Sequence, residues 1–251
     1  MPDEAARDSA SKNGPLKGDC DVKERTHYCL IAELFEYPAE DFPRKVREIT
    51  DCVSNRYPEA AAALNRLLDL LPAADVAAMQ ELFLRSFDVQ AITTLDVGYV
   101  LFGDDYKRGK LLAHLSREHR TLENDCRKEL ADHLPNMLRL IGMHPDQALV
   151  EELVSEILAP ALRAMIGEFS AERIQRKNES YKKHYKTIID TPPVSREAVT
   201  LYQLALKALY AVFEQDFALA EASVPAATND FFASLQRENQ IEEKATAAHE
   251  G

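Results

Sequence analysis

The chain has 251 residues, 46% of them hydrophobic, and a formal net charge of −12. That length supports one sizeable core, and no long flexible joint with a fresh core after it divides the chain. The acidic balance excludes a general nucleic-acid binder, which needs surplus Lys and Arg against phosphates. It also argues against an anionic membrane surface and favours a basic or apolar partner.

In chain order, residues 1–20 lack periodic apolar residues and are expected to form a disordered N-terminal tail. They show no basic n-region, no apolar h-region and no twin arginine, so no export signal is legible. No apolar run approaches the ~18 residues of a membrane span. Cys20, Cys29, Cys52 and Cys126 form no CxxC pair and read as separate thiols, which suits a reducing cytoplasm.

Residues 21–235 carry helical periodicity. Tyr28, Ile31, Leu34 and Phe35 make a first stripe, ended by "EYP" (36–38). Leu64, Leu67, Leu68 and Leu71 make a second; Met79, Leu82, Phe83 and Phe87 a third; Leu111, Leu112, Leu115 and Leu122 a fourth. Leu149, Leu153, Val154, Ile157 and Leu158 run on towards Leu162, Met165, Ile166 and Phe169. Residues 171–195 are rich in charge and read as either a charged helix extension or a mobile crossing. The last strong stripe is Tyr202, Leu206, Leu209, Tyr210, Phe213 and Phe217, and residues 236–251 are expected to be a disordered tail. Prolines such as Pro43, Pro58, Pro135 and Pro160 suit helix boundaries. Period-two alternation and hairpin signals are missing. The prediction is an all-α, single-domain bundle of roughly nine to twelve helices.

The loop "GDDYKRG" (103–109) invites a phosphate-binding reading. A Walker-type loop needs G-x-x-x-x-G-K-[ST]. Here Leu111 follows Lys110, the glycine spacing is one too long, and two aspartates would repel phosphate. The capping reading is better: Asp104 or Asp105 accepts hydrogen bonds at the start of the helix carrying Leu111 and Leu115. Lys107 and Arg108 then sit where the helix dipole disfavours cations, which suggests contacts elsewhere, such as an intramolecular acidic partner.

In "ELADHLPNMLRLI" (129–141), Asp132 and His133 could form a general-base pair. Adjacent side chains do not face each other on a helix, and the competing reading makes Asp132 an N-cap with Pro135 in the first turn. His27, His114, His119, His133, His144, His184 and His249 include no HExxH and no metal spacing, and G-x-S-x-G is absent. In "FLRSFDVQAITTLDVGYVLF" (83–102), Phe83, Phe87, Tyr99 and Phe102 lie near Asp88 and Asp96. These rings read first as core. Exposed along a groove, they would suit a basic or amphipathic peptide.

Four segments in this order resemble the NarJ/TorD/DmsD family of molybdoenzyme maturation chaperones, in its nitrate reductase delta-subunit-like branch. "LIAELFEYP" (30–38) resembles the first helix ending in Tyr-Pro; "FLRSFD" (83–88) the Y-x-x-L-F-D segment; "GDDYKRG" (103–109) the G-x-x-R-x-R-G segment; "ELADHLP" (129–135) the E-L-P-D-H-L-P segment. Phe83, Ser86, Tyr106 and Ala131 depart from the usual Tyr, Leu, Arg and Pro. The "LDVGYVLFGDDYKRG" wording is most similar to chaperones of ethylbenzene, selenate, chlorate and dimethyl-sulfide oxidoreductases.

The resemblance implies an all-α bundle of the TorD/NarJ type, no enzymatic activity and no cofactor of its own. It implies a cytoplasmic chaperone that binds the apo catalytic subunit of a molybdopterin oxidoreductase, often by its N-terminal leader, and assists cofactor insertion before export or membrane attachment. By motif match, Asp132, His133 and Pro135 fall in the region implicated in client binding. Asp88, Phe87, Tyr99, Phe102, Asp105 and Arg108 complete the candidate partner surface. The bundle is expected as a monomer or a helix-swapped dimer. The rival readings are a nucleotide-binding enzyme using residues 103–110 and a passive helical subunit of the mature oxidoreductase.

Overall fold

A computed structural model of the chain describes residues 25–184 and 200–219. Among these the fold is all-α. The predicted tails and residues 185–199 of the charged segment lie outside the described residues. In order come α1 (His27–Ile31), a 3-10 turn (Ala32–Phe35), α2 (Phe42–Ser54), α3 (Pro58–Leu70), α4 (Val76–Phe87), α5 (Val97–Phe102) and α6 (Tyr106–Thr121). Then follow α7 (Leu134–Met143), α8 (Gln147–Glu152), a π-helical turn (Leu153–Leu158), α9 (Ala159–Glu168), α10 (Ala171–His184) and α11 (Leu201–Phe217).

The boundaries have local causes. Pro43, Pro58 and Pro135 occupy first turns, where a missing N–H costs nothing. Asp75 and Asp146 cap α4 and α8, accepting from Ala78 N at 3.0 Å and Ala148 N at 2.9 Å. The chain turns extended at Glu36, just ahead of Tyr37-Pro38. Pro160 behaves differently from its neighbours in the series. Helix continues through it from α8 into α9, and the turn before it widens to π form. The proline lacks an N–H and its ring crowds the carbonyl of residue 156, which the wider turn relieves.

One contiguous core joins these elements. Helix α11 packs on α3 and also meets α9 and α4; α1 packs on α7; α5 lies on α9 and the π turn. The predicted stripes face inward: Met79, Leu82, Phe83 and Phe87 of α4 are buried, as are Leu206, Leu209 and Phe213 of α11. Each such side chain contributes about 1.5–3 kcal/mol on burial. Phe87 and Phe83 sit edge-on to Tyr202, with centroids 5.1 and 5.6 Å away. The Tyr202 hydroxyl is buried with no hydrogen-bond partner, and burial pushes its pKa far up.

The far end of α11 is tied down by polar bonds. Asp216 accepts from His27 Nε2 (3.0 Å), the Tyr28 hydroxyl (2.7 Å), the Tyr57 hydroxyl (2.8 Å) and Arg56 Nη2 (2.8 Å). One carboxylate thus joins α1, the α2–α3 junction and α11. The cysteines are not four alike: Cys29 and Cys126 are free thiols, whereas Cys52 is disulfide-bonded. Cys20 lies outside the described residues. No helix among the described residues is long and apolar enough to cross a membrane.

Candidate functional site

The α5–α6 turn starts the site. Gly103 ends α5 at φ 59°, ψ −134°, a conformation that side-chain-bearing residues strain to adopt, and its N–H donates to Tyr99 O at 2.8 Å. Asp105 then caps α6, its carboxylate accepting from Lys107 N at 2.9 Å. Residues 103–110 are therefore a capped helix start, with Tyr106–Lys110 already helical.

Capping fixes the direction of α6, and Arg108 in its first turn reaches two loops. Its Nε donates to Asp132 Oδ2 at 2.9 Å, and its Nη2 to Asp96 Oδ2 at 2.9 Å and Asp132 Oδ1 at 3.4 Å. Asp96 in turn accepts from His133 Nδ1 at 3.2 Å, which fixes the Nδ1-protonated tautomer. The backbone zips the same two loops. Val97 N donates to Asp132 O at 3.0 Å and Leu134 N to Leu95 O at 2.9 Å, an isolated antiparallel bridge centred on Asp96 and His133.

Close approach needs Gly98. A Cβ there would stand 2.6 Å from Asp132 Oδ2 and 3.3 Å from Arg108 Cγ. The Arg108 guanidinium also lies over the Tyr99 ring, 5.3 Å from its centroid. The bond from His133, then attraction to it and to Arg108, hold the Asp96 carboxyl below its usual range against the opposing cost of burial. Burial works against the Arg108 charge, but Asp132 and Asp96 outweigh it and raise its pKa.

Asp132, His133, Arg108 and Tyr99 thus meet in one corner, and Arg108 has the acidic intramolecular partner its position calls for. The N-cap reading of Asp132 is overturned. His133 occupies that position, without a side-chain cap bond, and Asp132 is 0% exposed against Arg108. The direct Asp132–His133 pair is also absent, because the imidazole faces Asp96. Pro135 is buried in the first turn of α7. Phe87 belongs to the aromatic cluster with Phe83 and Tyr202. It lines no groove, because α11 covers that face of α4. Asp88 is exposed at the end of α4, its N–H bonded back to Leu84 O at 2.8 Å. Phe102 packs against the core and Asp105 is an exposed cap.

Sequence reasoning missed the assignment of Asp96 and Gly98. Their only local signal is the "LDVGY" run, in which a glycine two residues after an aspartate permits a close backbone approach. Beside the corner in sequence, Tyr99, Leu130 and Tyr106 are 45%, 49% and 68% exposed. No group of three His, Cys, Asp or Glu side chains among the described residues could hold a metal ion.

These features define an all-α bundle with a buried Arg–Asp clamp beneath a part-exposed polar and aromatic corner. No protein-family model matches the sequence, and no curated protein matches it at a significant level.

Proposed function

We propose that this protein is a maturation chaperone of the NarJ/TorD/DmsD type. It binds the immature catalytic subunit of a molybdenum oxidoreductase and holds it open for cofactor insertion. One observation carries the reading. Arg108 comes from one resembling segment and Asp132–His133 from another, 24 residues on, yet they share one hydrogen-bonded corner. That corner presents Tyr99 and Asp96 to solvent with His133 part-buried beside them, and contains no metal-binding set among the described residues.

Its chemistry suits a protein partner. An aromatic ring supplies apolar contact area, a carboxylate and an imidazole supply hydrogen bonds, and surrounding negative charge steers basic segments. Release must follow cofactor insertion, so micromolar affinity, about −8 kcal/mol in total, is adequate.

The test is affinity capture with the tagged full chain from its native host. A molybdopterin oxidoreductase catalytic subunit should be retained, and retained better when its cofactor is withheld. Tyr99→Ala and His133→Ala should each weaken retention while helicity holds. Capture indifferent to cofactor loading, or this chain found at equal stoichiometry in the mature enzyme, defeats the chaperone reading and favours a resident subunit.

A further inference from the structure

The corner has depth as well as composition. Asp132 is 0% exposed, and the Arg108 side chain is 15% exposed. The Asp96 side chain is 28% exposed and Tyr99 is 45% exposed. The hydrogen bonds run outward from Asp132 through Arg108 to Asp96 and then turn back to His133, whose side chain is 17% exposed. A partner arriving from solvent meets Tyr99 and Asp96 first and reaches the part-buried edge of His133 beside them. It cannot touch Asp132 without dismantling the clamp.

We propose that Asp132 is a positioning residue: it anchors Arg108, which fixes the Asp96 carboxylate and through it the ring of His133, while Gly98 leaves the space this requires. This rests on reading the corner as partner-binding, and it reassigns the roles within it. His133, Asp96 and Tyr99 make the contacts, and Asp132 acts only through them.

Three observations fit together here. The Arg108 guanidinium uses Nε and Nη2 on Asp132 and the same Nη2 on Asp96, so the buried carboxylate sets the plane in which the outer one is bound. That plane also lies over the Tyr99 ring, so the clamp orients the exposed aromatic. Gly98 sits directly beneath, where a methyl group would press on Asp132 Oδ2 at 2.6 Å without changing any charge. The bridge bonds Val97 N to Asp132 O and Leu134 N to Leu95 O use main-chain atoms only, so the two loops stay registered when a side chain is altered.

The experiment reads His133 directly in the full chain. Long-range 1H–15N correlation of the imidazole at neutral pH should show the Nδ1-protonated tautomer in the wild type. Asp132→Asn and Gly98→Ala should each mix in the Nε2 form, with circular dichroism unchanged. Gly98→Ala keeps the test open should burying Arg108 beside a neutral amide at position 132 prevent folding. A His133 signal unmoved by both substitutions overturns the positioning role.

A second arm uses the cofactor-free catalytic subunit in a capture titration. Asp132→Asn should bind about tenfold more weakly, the scale of one charge-assisted hydrogen bond. Combined with His133→Ala it should cost clearly less than the sum of the two single losses, because the His133 contact is shared while those through Asp96 and Tyr99 remain. Additive losses would make Asp132 a contact residue and overturn the proposal. If His133→Ala and Tyr99→Ala leave capture untouched, the partner-binding reading fails, while the tautomer result still decides whether Asp132 positions His133.

Discussion

At the residue scale, Asp216 shows how one carboxylate can hold several elements. Burial alone would raise its pKa, but bonds from His27, Tyr28 and Tyr57 outweigh that and hold it below the usual carboxylate range. A pKa lower in the folded than in the unfolded chain means the charged form stabilises the fold. That contribution is complete above the unfolded value of about 3.9 and is lost as pH falls through the folded value. Asp216→Asn is expected to cost about 3 kcal/mol at pH 7, where it leaves Arg56 without its carboxylate and weakens three further bonds. Urea unfolding should show that gap narrowing below about pH 4, where Asp216 of the unfolded chain takes up a proton before the folded one does. An equal gap at both pH values would mean the charge is not its source.

At the element scale, the crossing of α1 and α7 depends on Gly142. A Cβ there would lie 2.7 Å from Cys29 Sγ and 3.2 Å from Arg25 O. Gly142→Ala gains up to about 1 kcal/mol of helix propensity. Overpacking a closed interface costs about 1–3 kcal/mol, so a net loss of up to about 2 kcal/mol is expected in chemical denaturation. Cys29→Ala in the same chain should restore part of it by removing the sulfur, but not the clash with the Arg25 carbonyl. The π turn makes the complementary point. Pro160 reads in sequence as a boundary, yet the helix runs on through it. The surrounding contacts of α5 and α9 make a widened turn cheaper than a break.

At the scale of the whole molecule, the net charge of −12 bears on how a partner arrives rather than on how tightly it stays. Charge spread over a surface accelerates encounter with a basic segment and is screened beyond a Debye length of about 10 Å at 0.1 M salt. Raising salt from about 50 to about 500 mM should therefore slow association with the catalytic subunit by about tenfold and change dissociation little. Surface-based kinetics would check this. A salt-dependent off-rate instead would place ion pairs at the centre of the interface.

Much of the fold is legible in the chain, because helix boundaries and inward stripes are local properties. The stripe Met79, Leu82, Phe83 and Phe87 announces α4, and Asp105 ahead of Tyr106 announces the cap of α6. The corner is legible only in part. Arg108, Asp132 and His133 stand out by motif, but their wiring does not. Asp96 and His133 are 37 residues apart, and nothing local tells a carboxylate which imidazole it will meet. The same limit hid the fate of Phe87, whose covering ring, Tyr202, lies far along the chain on α11.

By itself, then, the sequence determined that this protein is helical, where most of its helices begin and which faces turn inward, since capping and periodicity act over a few residues. Tertiary packing alone decided that Asp132 is buried under Arg108, that His133 answers to Asp96 and that α4's rings are closed off. Those outcomes depend on which distant segments exclude water from one another.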